Sequence, residues 1–177
     1  MKRGGLTLST VFGLGLLRPA PGTWGSLPPV ALAGAMLAAG LRPATDAGPA
    51  HWQLGPWIAF HAVLLGVFVV FSLACAAQGD WAEARFGRKD PGSVVADETA
   101  GQCLPLMFLP ASALATPALA AFTLLLAFLA FRLLDIVKPP PAREVQRVPG
   151  GWGIVLDDMV AGLYALAFVQ VMAWAVL

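Results

Sequence analysis

The fold class this sequence predicts is all-α, a polytopic membrane bundle with four to five membrane-embedded helices. Composition is the first observation behind it. Hydrophobic residues make up 58% of the 177-residue chain and charged residues only 12%, against roughly 45–50% apolar and about 25% charged in soluble domains. The second is the gathering of apolar residues into four blocks separated by short polar segments. The third is where the basic residues fall between those blocks. The length suits one domain over 1–177. A net charge of +1 says little by itself, and no nucleic-acid partner is expected. The two cysteines, Cys75 and Cys103, lie inside apolar stretches and read as small buried hydrophobes rather than a disulfide framework.

Taken in order, the N-terminal stretch Leu6 to Leu17 is too interrupted by Gly13 and Gly15 for a signal peptide and suits packing at a membrane interface. The first block, Leu27 to Leu41, is rich in small residues and short for a span. Leu41 to Pro56, with Pro43, Gly48, Pro49 and Gly55, reads as an outer loop. The second block, Pro56 to Ala77, approaches the roughly 20 residues that cross a hydrocarbon core. The third, Cys103 to Leu134, carries Pro105, Pro110 and Pro117, each lacking a backbone donor. It reads as a hairpin with arms from Cys103 to about Ala115 and from Pro117 to about Val137, the first short enough to be re-entrant. The fourth runs from Ile154 to Leu177.

With an even number of crossings in the third block, Met1–Ser26, Gln78–Gln102 and Arg132–Gly153 share one side. Those segments hold all the Lys and Arg residues except Arg42. The positive-inside rule then makes that side cytoplasmic. A single span for the third block would put the Arg132 segment outside, against the rule.

Three polar clusters remain on that side. Asp97 and Glu98, preceded by Lys89 and Asp90, stand before an apolar run, where Asp97 suits a helix N-cap and both acids suit the positive end of the helix dipole. Arg132, Asp135 and Lys138 are three apart, on one helix face before Pro139, Pro140 and Pro141. Asp157 and Asp158 are adjacent, within the apolar run that begins at Ile154. Acids at a membrane boundary are functional candidates because a cation or proton must compensate them. Adjacent helical residues diverge by about 100°, so only one of this pair can face a given centre fully. Gly150, Gly151 and Gly153 before them predict a loop whose backbone approaches a ligand. A fourth, weaker candidate is Pro19 to Ser26, where Gly22 and Gly25 let backbone amides converge on an anion and Thr23 and Ser26 offer hydroxyls. Ser26 equally suits a cap for a helix starting at Leu27.

Other chemistries have no footing here. His51 lies in the outer loop and His61 within a span, where it reads as a packed or hydrogen-bonded residue. The chain has no Walker loop, no paired-Cys metal site and no Cys followed five residues later by Arg. Oxygen ligands and cations are left, and carboxylate clusters suit Mg²⁺.

Lys89-Asp90-Pro91 with Val94-Val95, Asp97-Glu98 and Gly101; Phe131-Arg132 with Asp135-Ile136, Lys138-Pro139 and Pro141; and Gly150-Gly151 with Gly153-Ile154, Asp157-Asp158 and Ala161-Gly162 follow one another in that order. With Ala20 to Ser26 upstream, they resemble the phosphatidylglycerophosphatase A family over about Phe12 to Gly162. The resemblance implies an all-helical fold and Mg²⁺-dependent removal of the terminal phosphate from phosphatidylglycerophosphate, yielding phosphatidylglycerol. It implies functional roles for Lys89, Asp90, Asp97, Glu98, Arg132, Asp135, Lys138, Asp157 and Asp158, supported by Gly22, Thr23 and Ser26. Chemistry then assigns Asp97, Glu98, Asp157 and Asp158 to Mg²⁺ and water activation. Lys89, Arg132 and Lys138 hold phosphate oxygens. Asp90 and Asp135 orient those cations or serve as general acid or base. The expected setting is the bacterial inner membrane, multi-pass, with the active site facing the cytoplasm. The alternatives are a non-enzymatic protein such as a divalent-cation carrier, an accessory subunit of a membrane complex, and a phosphatase for another lipid phosphomonoester.

Overall fold

A computed structural model describes residues 5–41, 54–87 and 91–176. Lys89, Asp90 and His51, and most of the expected outer loop, lie outside the described residues. Among the described residues seven α-helices follow in order: α1 (Gly5–Ser9), α2 (Pro21–Ala38), α3 (Leu54–Phe86), α4 (Ala96–Cys103), α5 (Pro117–Val137), α6 (Ala142–Val145) and α7 (Gly151–Val176). No strand occurs among the described residues.

Among the described residues, three helices are long and apolar enough to cross a membrane, over Gly55–Ala82, Pro117–Val137 and Gly151–Ala175. Their outward faces are apolar, as lipid contact requires. On α5, Phe122, Leu125, Leu129, Leu133 and Ile136 are exposed, while Leu124, Ala127, Phe131 and Asp135 face the interior. On α7 the buried stripe is Ile154, Asp158, Ala161, Ala165, Val169 and Ala173, the spacing of one helix face. Asp158 therefore sits in register with the core.

The expected hairpin has one regular arm. Its second arm is α5, capped at its start by Thr116, whose Oγ1 accepts from Leu119 N at 3.1 Å. Its first arm is not a helix. The chain from Leu104 to Thr116 passes through short 3-10 turns instead, because Pro105 and Pro110 remove donors. Side chains of the flanking spans satisfy this irregular backbone. Phe108 N donates to His61 Nε2 at 3.0 Å, Gln170 Nε2 donates to Phe108 O at 2.5 Å, and Thr123 Oγ1 donates to Ala113 O at 3.0 Å. Non-helical backbone at depth is tolerated where protein supplies such partners. His61 is thus hydrogen-bonded and packed, as expected, and both cysteines are buried and not joined in a disulfide.

Two prolines inside α2, Pro28 and Pro29, have a structural consequence. Pro29 cannot donate to the carbonyl of Gly25, four residues back. The Thr99 hydroxyl of α4 donates to that oxygen at 2.6 Å. The defect in α2 thereby fastens it to α4, one residue from Glu98. Close approach does the rest. A Cβ on Gly101 would lie 2.7 Å from Asp158 O and from the Phe131 ring, and one on Gly162 would lie 2.5 Å from Gly101 O. Only glycine lets α4 and α7 cross at this depth.

Candidate active site

The first turn of α4, the last turns of α5, the first turns of α7 and the start of α2 meet at one end of the bundle. Asp97 and Glu98 occupy the first turn of α4, where the exposed N–H groups favour negative charge. Asp97 is not the cap: Val95 holds that position and no side chain caps the helix. One carboxylate oxygen from each of Asp97, Glu98 and Asp158 lies within 4.8 Å of the others.

The adjacent aspartates diverge, as the helical rotation demands. Asp158 joins Asp97 and Glu98, while Asp157 forms a short ion pair with the Lys138 ammonium. Both are buried, at 2% exposure. The expected Arg132–Asp135–Lys138 row is divided too. Arg132 donates to Asp135 Oδ2 at 2.7 Å, and its guanidinium stands 4.0 Å from Glu98 Oε1. Lys138 ends α5 in a left-handed backbone conformation, φ 48°, which turns it off the helix face and toward α7. Asp135 also stands close enough to Asp158 for the two carboxyl groups to interact.

Gly22 lies against this cluster. A Cβ there would overlap Glu98 Oε1 and come within 2.9 Å of both terminal Arg132 nitrogens. Thr23 is half-buried. Ser26 is buried in the second turn of α2, where its hydroxyl donates to Gly22 O at 2.8 Å; it is not a cap, because α2 begins at Pro21. Gly151 and Gly153 are helical rather than loop residues. Gly151 seats α7 on the α3 backbone, 2.5 Å from Cys75 O and Ala76 O for a Cβ placed there.

Among the described residues, five carboxylates (Asp97, Glu98, Asp135, Asp157, Asp158) share this end with the cations Arg132 and Lys138. Glu98 Oε2 and Asp158 Oδ2 are buried without a hydrogen-bond partner. Burial first, then the charges of Asp158 and Asp135, push the Glu98 carboxyl up to about 8, with the Asp97 hydrogen bond and Arg132 opposing. Burial works against the Lys138 charge, but the hydrogen bond and charge of Asp157 outweigh it and hold its ammonium above its usual range. Excess buried negative charge with oxygen donors converging is the environment a hard divalent cation relieves. The residues therefore fit a Mg²⁺-like ion.

Sequence reasoning missed Thr99 and the Gly101–Gly162 contact. The signal for Thr99 was present: Pro29 orphans the Gly25 carbonyl. Its partner, 74 residues away, is not readable without the fold.

The family model described as phosphatidylglycerophosphatase A matches residues 7–173. A phosphatidylglycerophosphatase A of Haemophilus influenzae is 34% identical over 169 residues, covering 92% of this chain and 84% of that protein. One from Escherichia coli is 33% identical, covering 88% and 76%. A Bacteroides thetaiotaomicron protein, whose name marks phosphatidylinositol-3-phosphatase activity as provisional, is 31% identical, covering 96% and 93%. No solved structure matches.

Proposed function

The chain belongs to the phosphatidylglycerophosphatase A family and is a phosphatase, and from that premise we propose that it hydrolyses phosphatidylglycerophosphate to phosphatidylglycerol and inorganic phosphate with Mg²⁺, as a step of phospholipid biosynthesis at the cytoplasmic face of the bacterial inner membrane. The observation that carries this reading is the buried Asp97–Glu98–Asp158 cluster beside Arg132 and Lys138. A lipid phosphomonoester presents its phosphate at the bilayer surface. These residues lie on α4, on the last turns of α5 and on the first turns of α7, the latter two at ends of candidate spans, which supports the reading. The basic residues flanking the spans on the same side support the cytoplasmic orientation.

Asp97, Glu98 and Asp158 would hold the ion, with Asp157 close by on the Lys138 side. When bound, the ion stabilises charge on phosphate oxygens and acidifies a water. Arg132 binds phosphate oxygens, oriented by Asp135 through their 2.7 Å hydrogen bond. Lys138, held by Asp157, supplies the second cation. Lys89 and Asp90 add a further cation and its orienting acid. Asp135, which also accepts from Arg132, is the proposed general acid or base. The buried thiol of Cys103 bonds to Thr99 O and His61 to Phe108, so water is the favoured nucleophile.

A second reading is another lipid phosphomonoester as substrate, favoured by the Bacteroides relative's name. Purified protein in detergent is given phosphatidylglycerophosphate or phosphatidylinositol 3-phosphate, with and without Mg²⁺, and released phosphate is measured. Mg²⁺-dependent release from the first supports the proposal. Release from the second alone moves the substrate, and release from neither by folded protein sinks both.

A further inference from the structure

Beside the acidic cluster lies a separate cavity of about 480 Å³, lined by Gly15, Leu16, Arg18, Pro21 and Pro91–Ser93. Both its walls run into the site already described. On one side Arg18 and Pro21 lead to Gly22, which abuts Glu98 and Arg132. On the other, Ser93 leads through Val95 to Asp97 and Glu98. The walls are held at close range: a Cβ on Gly15 would overlap the Ser93 carbonyl, and Val95 N donates to Ser9 O at 2.8 Å. Arg18 is exposed, and among the described residues no carboxylate forms an ion pair with it.

The same loop has a second face. Val11, Phe12 and Leu14, with Pro28, Pro29 and Leu32 of α2 and with α3, enclose an apolar groove of about 520 Å³. A polar cavity with an arginine and an apolar groove thus stand on either side of one short loop. That division matches an amphiphile whose headgroup carries an anion between its reacting phosphate and its acyl chains.

We propose that the Arg18 cavity binds the phosphodiester of the lipid headgroup, with Arg18 as a specificity-determining residue and an acyl chain in the neighbouring groove. The inference rests on the reading of the substrate as phosphatidylglycerophosphate. That lipid has two phosphates joined through glycerol, and the cleaved one occupies the acidic site. A simple lipid phosphomonoester would leave Arg18 without an anion.

The test uses Arg18→Gln and Arg18→Lys in neutral detergent micelles, with thermal unfolding as a folding check. Arg18→Gln raises KM for phosphatidylglycerophosphate about tenfold, the size of one charge-assisted hydrogen bond, and the effect falls on KM rather than kcat. Arg18→Lys recovers part of it. Phosphatidylglycerol, which keeps the phosphodiester and lacks the monoester, weakens as an inhibitor in parallel, while inhibition by inorganic phosphate is unchanged. KM and phosphatidylglycerol inhibition both within about twofold of the parent would overturn the proposal, being less than a lost charged hydrogen bond predicts. Weakened phosphate inhibition would overturn it too, by assigning the cavity to the released phosphate. A parent protein inactive on phosphatidylglycerophosphate is a different failure, that of the substrate reading itself.

Discussion

Replacing Gly22 with alanine probes the site through its tightest contact. The new methyl group would overlap Glu98 Oε1 and stand 2.9 Å from two Arg132 nitrogens, inside the 3.0 Å that Cβ atoms keep. The atoms in the way are the ends of flexible side chains, so they yield rather than the backbone. The carboxylate must move on the order of 1 Å, and a misplacement of that size costs about 10²-fold in rate. Stability moves differently. Alanine is favoured over glycine in a helix by up to about 1 kcal/mol, which offsets the lost Glu98–Arg132 contact. Gly22→Ala is therefore expected to lose about 10²-fold in kcat/KM while its thermal unfolding midpoint in detergent stays near the parent's. Phosphate release and unfolding are measured on the same preparation. Activity near the parent's refutes the placement of Glu98 and Arg132 at the reacting centre, and a large fall in midpoint refutes the claim that only side chains yield.

The two aspartates of α7 are predicted to differ. Asp158→Asn removes one of several crowded carboxylates, so the metal-free protein becomes more thermally stable but no longer gains stability when Mg²⁺ is added, and turnover is abolished. Asp157→Asn breaks a largely buried ion pair and costs about 3 kcal/mol, read as a lower unfolding midpoint; equal responses in the two variants would contradict the division of roles. The third prediction concerns pH. The Glu98 carboxyl, pushed up to about 8 from 4.5, holds a proton that a metal must displace. Mg²⁺ affinity therefore rises by up to about tenfold per pH unit below 8 and then levels off. By the same linkage the metal-free fold loses stability as pH rises through that interval, because it binds the proton more tightly than the unfolded chain does. A pH-independent Mg²⁺ midpoint between 6.5 and 8.5 would remove Glu98 from the ion's shell.

The sequence by itself determined the membrane class, the start and end of α5, and the segments that meet at the site. These are local matters: apolar block length is set by a helix's rise across hydrocarbon, and Thr116-Pro117 and Pro139 are punctuation that needs no partner. That only one of Asp157 and Asp158 can face a given centre fully was also legible, from helical rotation alone, although the sequence reading assigns both to Mg²⁺ and the structure groups only Asp158 with Asp97 and Glu98, leaving Asp157 on Lys138. Which of them faces the core was not, since Lys138 draws Asp157 aside only after α5 ends in a left-handed residue. The first hairpin arm was misread as a helix because its compensation comes from His61, Thr123 and Gln170, residues far from it in the chain. The tertiary structure alone decided that Gly151 is a packing contact, that Thr99 replaces the donor Pro29 lacks, and that Gly22 backs onto Glu98. Composition and spacing report what a segment can do with its own neighbours, whereas these contacts depend on two backbones approaching within ångströms, a distance set by the whole bundle.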